Sequence, residues 1–200
     1  SGWCKMQRLR IACPVIVEGK YDKIKLSGVI EAQIITTDGF GVFRHAEKAA
    51  LIRRMASSGP IIVLTDSDDA GKVIRSRISQ LIPRERLIQL YTPRVPGKER
   101  RKSAPSAEGV LGVEGMEAEL LYRLFEPYAG DALPARAENP LSKVDFYVDG
   151  LSGGPSSAAR RDELAARCDL PPGMSAYALL EALRMVCTYE EYLGAVGRDA

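Results

Sequence analysis

Between residues 13 and 90, short apolar runs alternate with stretches in which apolar positions recur at helical spacing. Four runs, at residues 14–17, 34–37, 61–65 and 87–91, are short and rich in Ile, Val or Leu, as strands buried on both faces are. Between them the spacing predicts helices over 21–29, 43–56 and 70–81, the last with Val73, Ile74, Ile78 and Leu81 on one apolar stripe. Strand and helix in this alternation predict a doubly wound α/β fold, a parallel sheet covered by helices.

From residue 93 to 108 the periodicity gives way to Pro, Gly, Ser and charge, which predicts a mobile basic loop. A helix over 114–125 follows, carrying Met116, Leu120, Leu121, Leu124 and Phe125 at helical spacing and stopped by Pro127 and Gly130. The remainder contains LSGGPSSAARRDELAARC, SAYALLEALRMV and TYEEYLGAV, three amphipathic stretches of a small helical unit. The expected organisation is an α/β domain over 1–129 and a helical domain over 130–200.

Composition narrows the setting. With 46% hydrophobic and 27% charged residues, the chain has no run near the ~18 apolar residues of a membrane span. Lys5, Arg8 and Arg10 interrupt Trp3, Met6 and Leu9, so the first residues lack the apolar core of a signal peptide. Cys4, Cys13, Cys168 and Cys187 form no CxxC pair, and a reducing cytoplasm is the expected location. His45 is the one histidine, so a metal here is expected to be held by oxygen rather than by nitrogen and sulfur. The net charge of +2 announces no particular partner, but its distribution does. Arg84, Arg86, Arg94, Lys98, Arg100, Arg101 and Lys102 face only Glu85 and Glu99 within one stretch, which suits contact with phosphates. The part from residue 130 onward is net acidic.

In an open parallel sheet, ligands gather beyond the carboxyl ends of the strands. VIVEGKYD puts Glu18 after the first strand, IITTDGFG puts Asp38 after the second, and IVLTDSDDAG puts Asp66, Asp68 and Asp69 after the third. Asp66 and Asp68, two residues apart, project to one side if strand geometry persists. Paired carboxylates invite magnesium, whose usual ligands are carboxylate, water and phosphate oxygens and which activates water for phosphodiester chemistry. Gly19, Gly39 and Gly71 allow close backbone approach of a phosphate. Lys20, Lys72 and Arg75 stand at or near helix starts as candidate phosphate contacts. Singly, each acidic residue is as well explained as a helix cap; together, EGKxD, DG and DxDxxG at three successive strand ends point to a site. Asp22, Asp38 and Asp69 are left between capping and function. His45, Tyr177, Tyr189 and Tyr192 are read as ordinary surface or packing residues.

VEGKYD and TDSDDAGKVIR resemble the Toprim domain shared by topoisomerases, primases and some nucleases, with Glu18 and the Asp66–Asp68 pair at the positions of its acidic motifs. Within that group the DG of IITTDGFG, the run ending at Arg75, GVEGMEAELL and the helical tail are similar to the bacterial 5S ribosomal RNA maturases, the ribonuclease M-five family. The resemblance implies a Toprim fold, one or two magnesium ions at Glu18, Asp66 and Asp68, and endonucleolytic cutting of structured precursor RNA. It also implies precursor 5S RNA as substrate, with a 5S-binding ribosomal protein as possible assistant. Ser67 stands where the family often has proline, and Asp69 with Ala70 where it often has another pair. Glu114, in GVEG, is either a substrate-side contact or a helix cap. Two other readings fit the same motifs: a nicking or primase-like Toprim enzyme on DNA, and a non-catalytic RNA-binding assembly factor. The sequence lacks a zinc-binding segment and a tyrosine-bearing topoisomerase domain, which weighs against the first; the intact acidic set weighs against the second.

Overall fold

A computed structural model describes residues 7–98, 109, 111–130 and 139–198 of the chain. The chain divides into two compact units, Ser1–Gly39 with Gly59–Arg136, and Phe40–Ser58 with Ala137–Ala200. The helix expected near residues 43–56 is thereby grouped with the tail, whereas the sequence pattern assigns it to the first part.

Parallel strands with flanking helices make up the first unit, the α/β architecture that the Toprim resemblance implies. Its elements in chain order are β1 (Leu9–Arg10), β2 (Val15–Val17), α1 (Lys20–Ser27), β3 (Ile30–Glu31) and β4 (Ile34–Thr36). After residues 40–58 come β5 (Ile61–Thr65), α3 (Asp69–Ser79), β6 (Leu87–Tyr91) and α4 (Ala118–Phe125). A four-stranded sheet runs in the order β4-β2-β5-β6 with every pair parallel. All three residues of β2 and all five of β5 are buried, as central strands covered on both faces must be. β1 and β3 form a separate two-stranded parallel ladder, Leu9 opposite Ile30, too short to leave a periodic signal.

The core of this unit joins Val15, Val17, Ile62, Leu64 and Leu90 of the sheet to Leu26 of α1 and to Val113, Met116, Leu121 and Phe125. Leu121 and Phe125, one helical turn apart, turn the apolar face of α4 onto that core. Burial of each such side chain stabilises the fold by about 1.5–3 kcal/mol, so α4 is anchored by its own stripe. One predicted face is different. On α3 the buried positions are Gly71, Arg75 and Ile78, while Val73 is half exposed, so the stripe expected from Val73 is rotated by contacts described below.

The second unit is helical: α2 (His45–Ser57), α5 (Lys143–Val148), α6 (Ser157–Arg167), α7 (Ala176–Val186) and α8 (Tyr189–Val196). α7 is its centre, with Leu179, Leu180, Leu183 and Val186 buried and with α2, α5 and α6 packed against it. Caps define the helix starts. The Ser175 hydroxyl accepts from Ala178 N–H at 3.1 Å, and Thr188 and Glu191 form a reciprocal capping box. Tyr192 is fully buried against Phe146, in keeping with a packing role, whereas Tyr177 is exposed.

The short helix α5, which the sequence pattern does not reveal, begins at a box of Ser142 and Asp145. The Ser142 hydroxyl donates to Asp145 Oδ2 at 2.6 Å, Tyr189 donates to Oδ1 at 2.9 Å, and Arg198 reaches both Asp145 and Asp149. The Ser142 hydrogen bond, helped by Tyr189 and Arg198, holds the Asp145 carboxyl down from 3.8 to about 2. A carboxyl depressed in the folded state stabilises it above the unfolded pKa, and that contribution is lost as pH falls through the folded value. The melting temperature is therefore expected to drop between about pH 4 and 2 with a component that Asp145→Asn removes, measurable by thermal unfolding across that range.

Candidate functional site

Glu18 leaves the end of β2 and Asp66 leaves the end of β5, and these strands are neighbours in register Val15 to Ile62 and Ile16 to Val63. Continued by two residues, that register sets Glu18 opposite Thr65, with Asp66 the next residue along, so both stand at the carboxyl edge of the sheet. β4, on the other side of β2, continues into a 3-10 turn, Thr37–Val42, that carries Asp38 and Gly39. The Glu18 carbonyl accepts from Thr37 N–H at 3.2 Å and from the Thr37 hydroxyl at 2.7 Å, tying the β2 end to the β4 end. Thr36 Oγ1 accepts from Gly39 N–H at 3.2 Å.

Gly19 is the N-cap of α1 in extended conformation, and its N–H donates to Asp22 Oδ2 at 3.0 Å. Asp22 therefore caps the helix. Among the described residues a Cβ at Gly19 would meet nothing within 4 Å, so none of their contacts demands glycine there. At Gly71 the opposite holds: an added Cβ would lie 2.1 Å from the Asp66 carbonyl oxygen. Glycine at 71 lets the first turn of α3 close onto the end of β5.

The turn from Asp66 to Asp69 is held at each residue. Asp66 Oδ1 accepts from Val113 N–H at 2.8 Å, which brings the GVE segment, a 3-10 turn over Val113–Gly115, against the strand end. Glu114 is the next residue of that turn and is partly buried. Ser67 N–H donates to Thr92 Oγ1 at 3.2 Å and its hydroxyl donates to the Thr92 carbonyl at 2.6 Å. Proline at 67 would lack that N–H. Asp68 Oδ1 accepts from Gly71 N–H at 2.8 Å as the N-cap of α3. Asp69, exposed, pairs with Lys72 at 2.7 Å, and this hydrogen bond holds the Asp69 carboxyl below its ordinary range.

Arg75 is where the structure departs most from expectation. Only 9% exposed, it donates to Thr65 Oγ1 and, at 2.9 Å, to the Asp66 carbonyl, and its guanidinium lies 4.6 Å from the centre of the Tyr91 ring. These partners, rather than a solvent-facing phosphate, are what it meets. Lys72 points outward instead, so the two candidate phosphate contacts of α3 are split between surface and interior.

Lys20, Arg94 and Lys98 are exposed. Arg94 and Lys98 lie beside a closure in which Leu111 N–H donates to the Val95 carbonyl at 2.8 Å and Gly97 N–H to the Gly109 carbonyl at 3.0 Å. Arg100, Arg101 and Lys102 lie outside the described residues.

Glu18, Asp66 and Asp68 offer the hard oxygen donors that magnesium takes. Among the described residues no group of three or more His, Cys, Asp or Glu is drawn together as a metal site. The donor chemistry fits, and Asp68, which caps α3 through one carboxylate oxygen, brings a second oxygen to the turn. Sequence reasoning missed the Val113 N–H, the Ser67–Thr92 pair and the position of Tyr91. Only the GVE segment gave a signal, and it drew notice to Glu114 rather than to its neighbour's amide.

No helix among the described residues is long and apolar enough to cross a membrane. No family model matches the chain. The chain is similar to the ribonuclease M5 of Lactiplantibacillus plantarum, 28% identical over 153 residues that make up 76% of each protein. It is similar to that of Bacillus subtilis, 27% identical over 75% of this chain and 74% of the relative. With the ribonuclease M5 of Mycoplasma genitalium it shares 32% identity over 57% of this chain and 58% of the relative.

Proposed function

We propose that this ribonuclease M5-like chain is a magnesium-dependent endoribonuclease that hydrolyses phosphodiester bonds in structured precursor RNA in the cytoplasm, with precursor 5S ribosomal RNA its substrate. The observation that carries this is the placement of Glu18 and Asp66 just beyond the ends of adjacent parallel strands, with Asp66 oriented by the Val113 N–H. Magnesium held by Glu18, Asp66 and Asp68 would supply an acidified water and offset phosphate charge. Asp66 would keep its orientation through the backbone of the GVE turn, so little reorganisation is needed when substrate arrives. Lys20 and Lys72, exposed near the starts of α1 and α3, would add positive charge for the phosphates on either side of the cleaved bond. The basic positions from Arg94 to Lys102 would follow the RNA backbone, and a 5S-binding ribosomal protein would assist by shaping the RNA.

The test incubates the purified chain with labelled precursor 5S RNA, with and without that ribosomal protein, in magnesium, in EDTA, and in EDTA followed by excess magnesium. A single-stranded DNA of the same sequence runs in parallel. Cleavage of RNA is expected in magnesium, falls to background in EDTA and returns with added magnesium. Cleavage of DNA in preference to RNA, or cutting undiminished by EDTA, would refute the proposal.

A further inference from the structure

Resting on the RNA-cleaving role just proposed, the geometry points to Tyr91 as a stacking platform for one nucleobase beside the phosphate handled at the Asp66 edge. Tyr91 ends β6, paired with Thr65 at the last rung of the β5 ladder, one residue before Asp66. Nearly half of it is exposed, 48%, although it lies at the end of a strand whose preceding residue, Leu90, is buried. One face of the ring is already occupied by the Arg75 guanidinium. That guanidinium is buried and bonded to Thr65 and to the Asp66 carbonyl, so it cannot follow a ligand outward. The area still exposed beside that guanidinium is what a base can reach.

The ring is held in other ways too. Its hydroxyl donates to Gln89 Oε1 at 2.8 Å, and the next residue, Thr92, is clamped to Ser67 through both backbone and side chain. A flat aromatic surface, fixed before the ligand arrives, loses little conformational freedom on binding. Every base has a π-face, so such a surface takes a base of any identity, at about 1–3 kcal/mol per stacked base. The cation behind the ring also bridges Tyr91 to the Asp66 backbone, which sets the platform at a fixed offset from the carboxylate edge. The class of ligand is therefore an unpaired nucleotide next to the scissile bond, read by stacking rather than by its base edge.

The experiment measures steady-state cleavage of the precursor RNA by the full chain, Tyr91→Phe and Tyr91→Ala. Each nucleotide flanking the cut is replaced in turn by an abasic one. Tyr91→Ala is expected to raise KM roughly five- to 150-fold with kcat little changed, and Tyr91→Phe to stay within about twofold of the parent. Because Phe would also cover Arg75, the deciding result is the cycle. At one flanking position the abasic substitution should cost the parent the same factor and cost Tyr91→Ala nothing further. Penalties that multiply at every position, or an unchanged KM for Tyr91→Ala, would overturn the inference. If the parent does not cleave the precursor, the nuclease proposal fails separately. The platform is then read from fluorescence anisotropy of a labelled single-stranded RNA in EDTA, where the same ratio between the parent and Tyr91→Ala is expected and equal affinities refute it.

Discussion

Asp66→Asn is expected to lower metal-dependent RNA cleavage by about a hundred- to a thousandfold without shifting the melting temperature. Asparagine keeps an oxygen able to accept the Val113 N–H that Asp66 accepts at 2.8 Å, so the GVE turn stays in position. What it lacks is the negative charge. Asp66→Ala removes both and leaves the amide of Val113, a residue only 1% exposed, without that acceptor. A buried donor stranded in this way costs about 1–3 kcal/mol, so the alanine variant should lose activity and stability together. Initial rates on precursor RNA and thermal unfolding of both variants separate the two roles of the side chain. A wild-type rate for Asp66→Asn would remove Asp66 from the chemistry.

The second large effect is expected at Gly71. In an exposed helix interior, alanine in place of glycine stabilises by about 1 kcal/mol. Here the added Cβ would lie 2.1 Å from the Asp66 carbonyl oxygen, 3.1 Å from its carbon and 3.2 Å from Arg75 Nη1. The nearest of these is backbone of a strand end, which has no rotamer to change. The steric term outweighs propensity, and Gly71→Ala is expected to destabilise by about 3 kcal/mol or more, seen as a lower urea midpoint. Cleavage should fall as well, since relief of the clash displaces Asp66 from the Val113 amide. A raised midpoint would show that α3 can move away from β5 at no cost.

The runs at residues 14–17, 34–37, 61–65 and 87–91 became the four-stranded sheet because fully buried parallel strands are written as unbroken apolar runs, which length and flanking glycines tell apart from helix. The strand-end acidic residues followed from the same pattern. Arg75 did not. Periodicity counts arginine as a surface residue, and nothing in the spacing of α3 records that a guanidinium reaches back beneath β5 to Thr65 and Asp66. Val73 was assigned to the apolar face for the converse reason, and the burial of Gly71 and Arg75 turned it outward. The two-residue strands β1 and β3 and the six-residue helix α5 are shorter than any window in which a period can be counted. The Val113 amide escaped notice because a backbone donor has no letter in the sequence: every residue but proline carries one, and only the fold decides which faces a carboxylate.

The rungs from Val95 to Leu111 and from Gly97 to Gly109 shut the connecting segment at its base, between the end of β6 and the GVE turn. Insertions or recoded residues between Gly97 and Gly109 therefore begin and end at fixed anchor points, and doubling the length of such a loop costs only about 0.6 kcal/mol. For an engineer this is a graft site, with a backbone anchor on each side of the exchanged peptide. On the role proposed for Arg94 to Lys102, substrate choice would change there apart from the chemistry at the carboxylate edge.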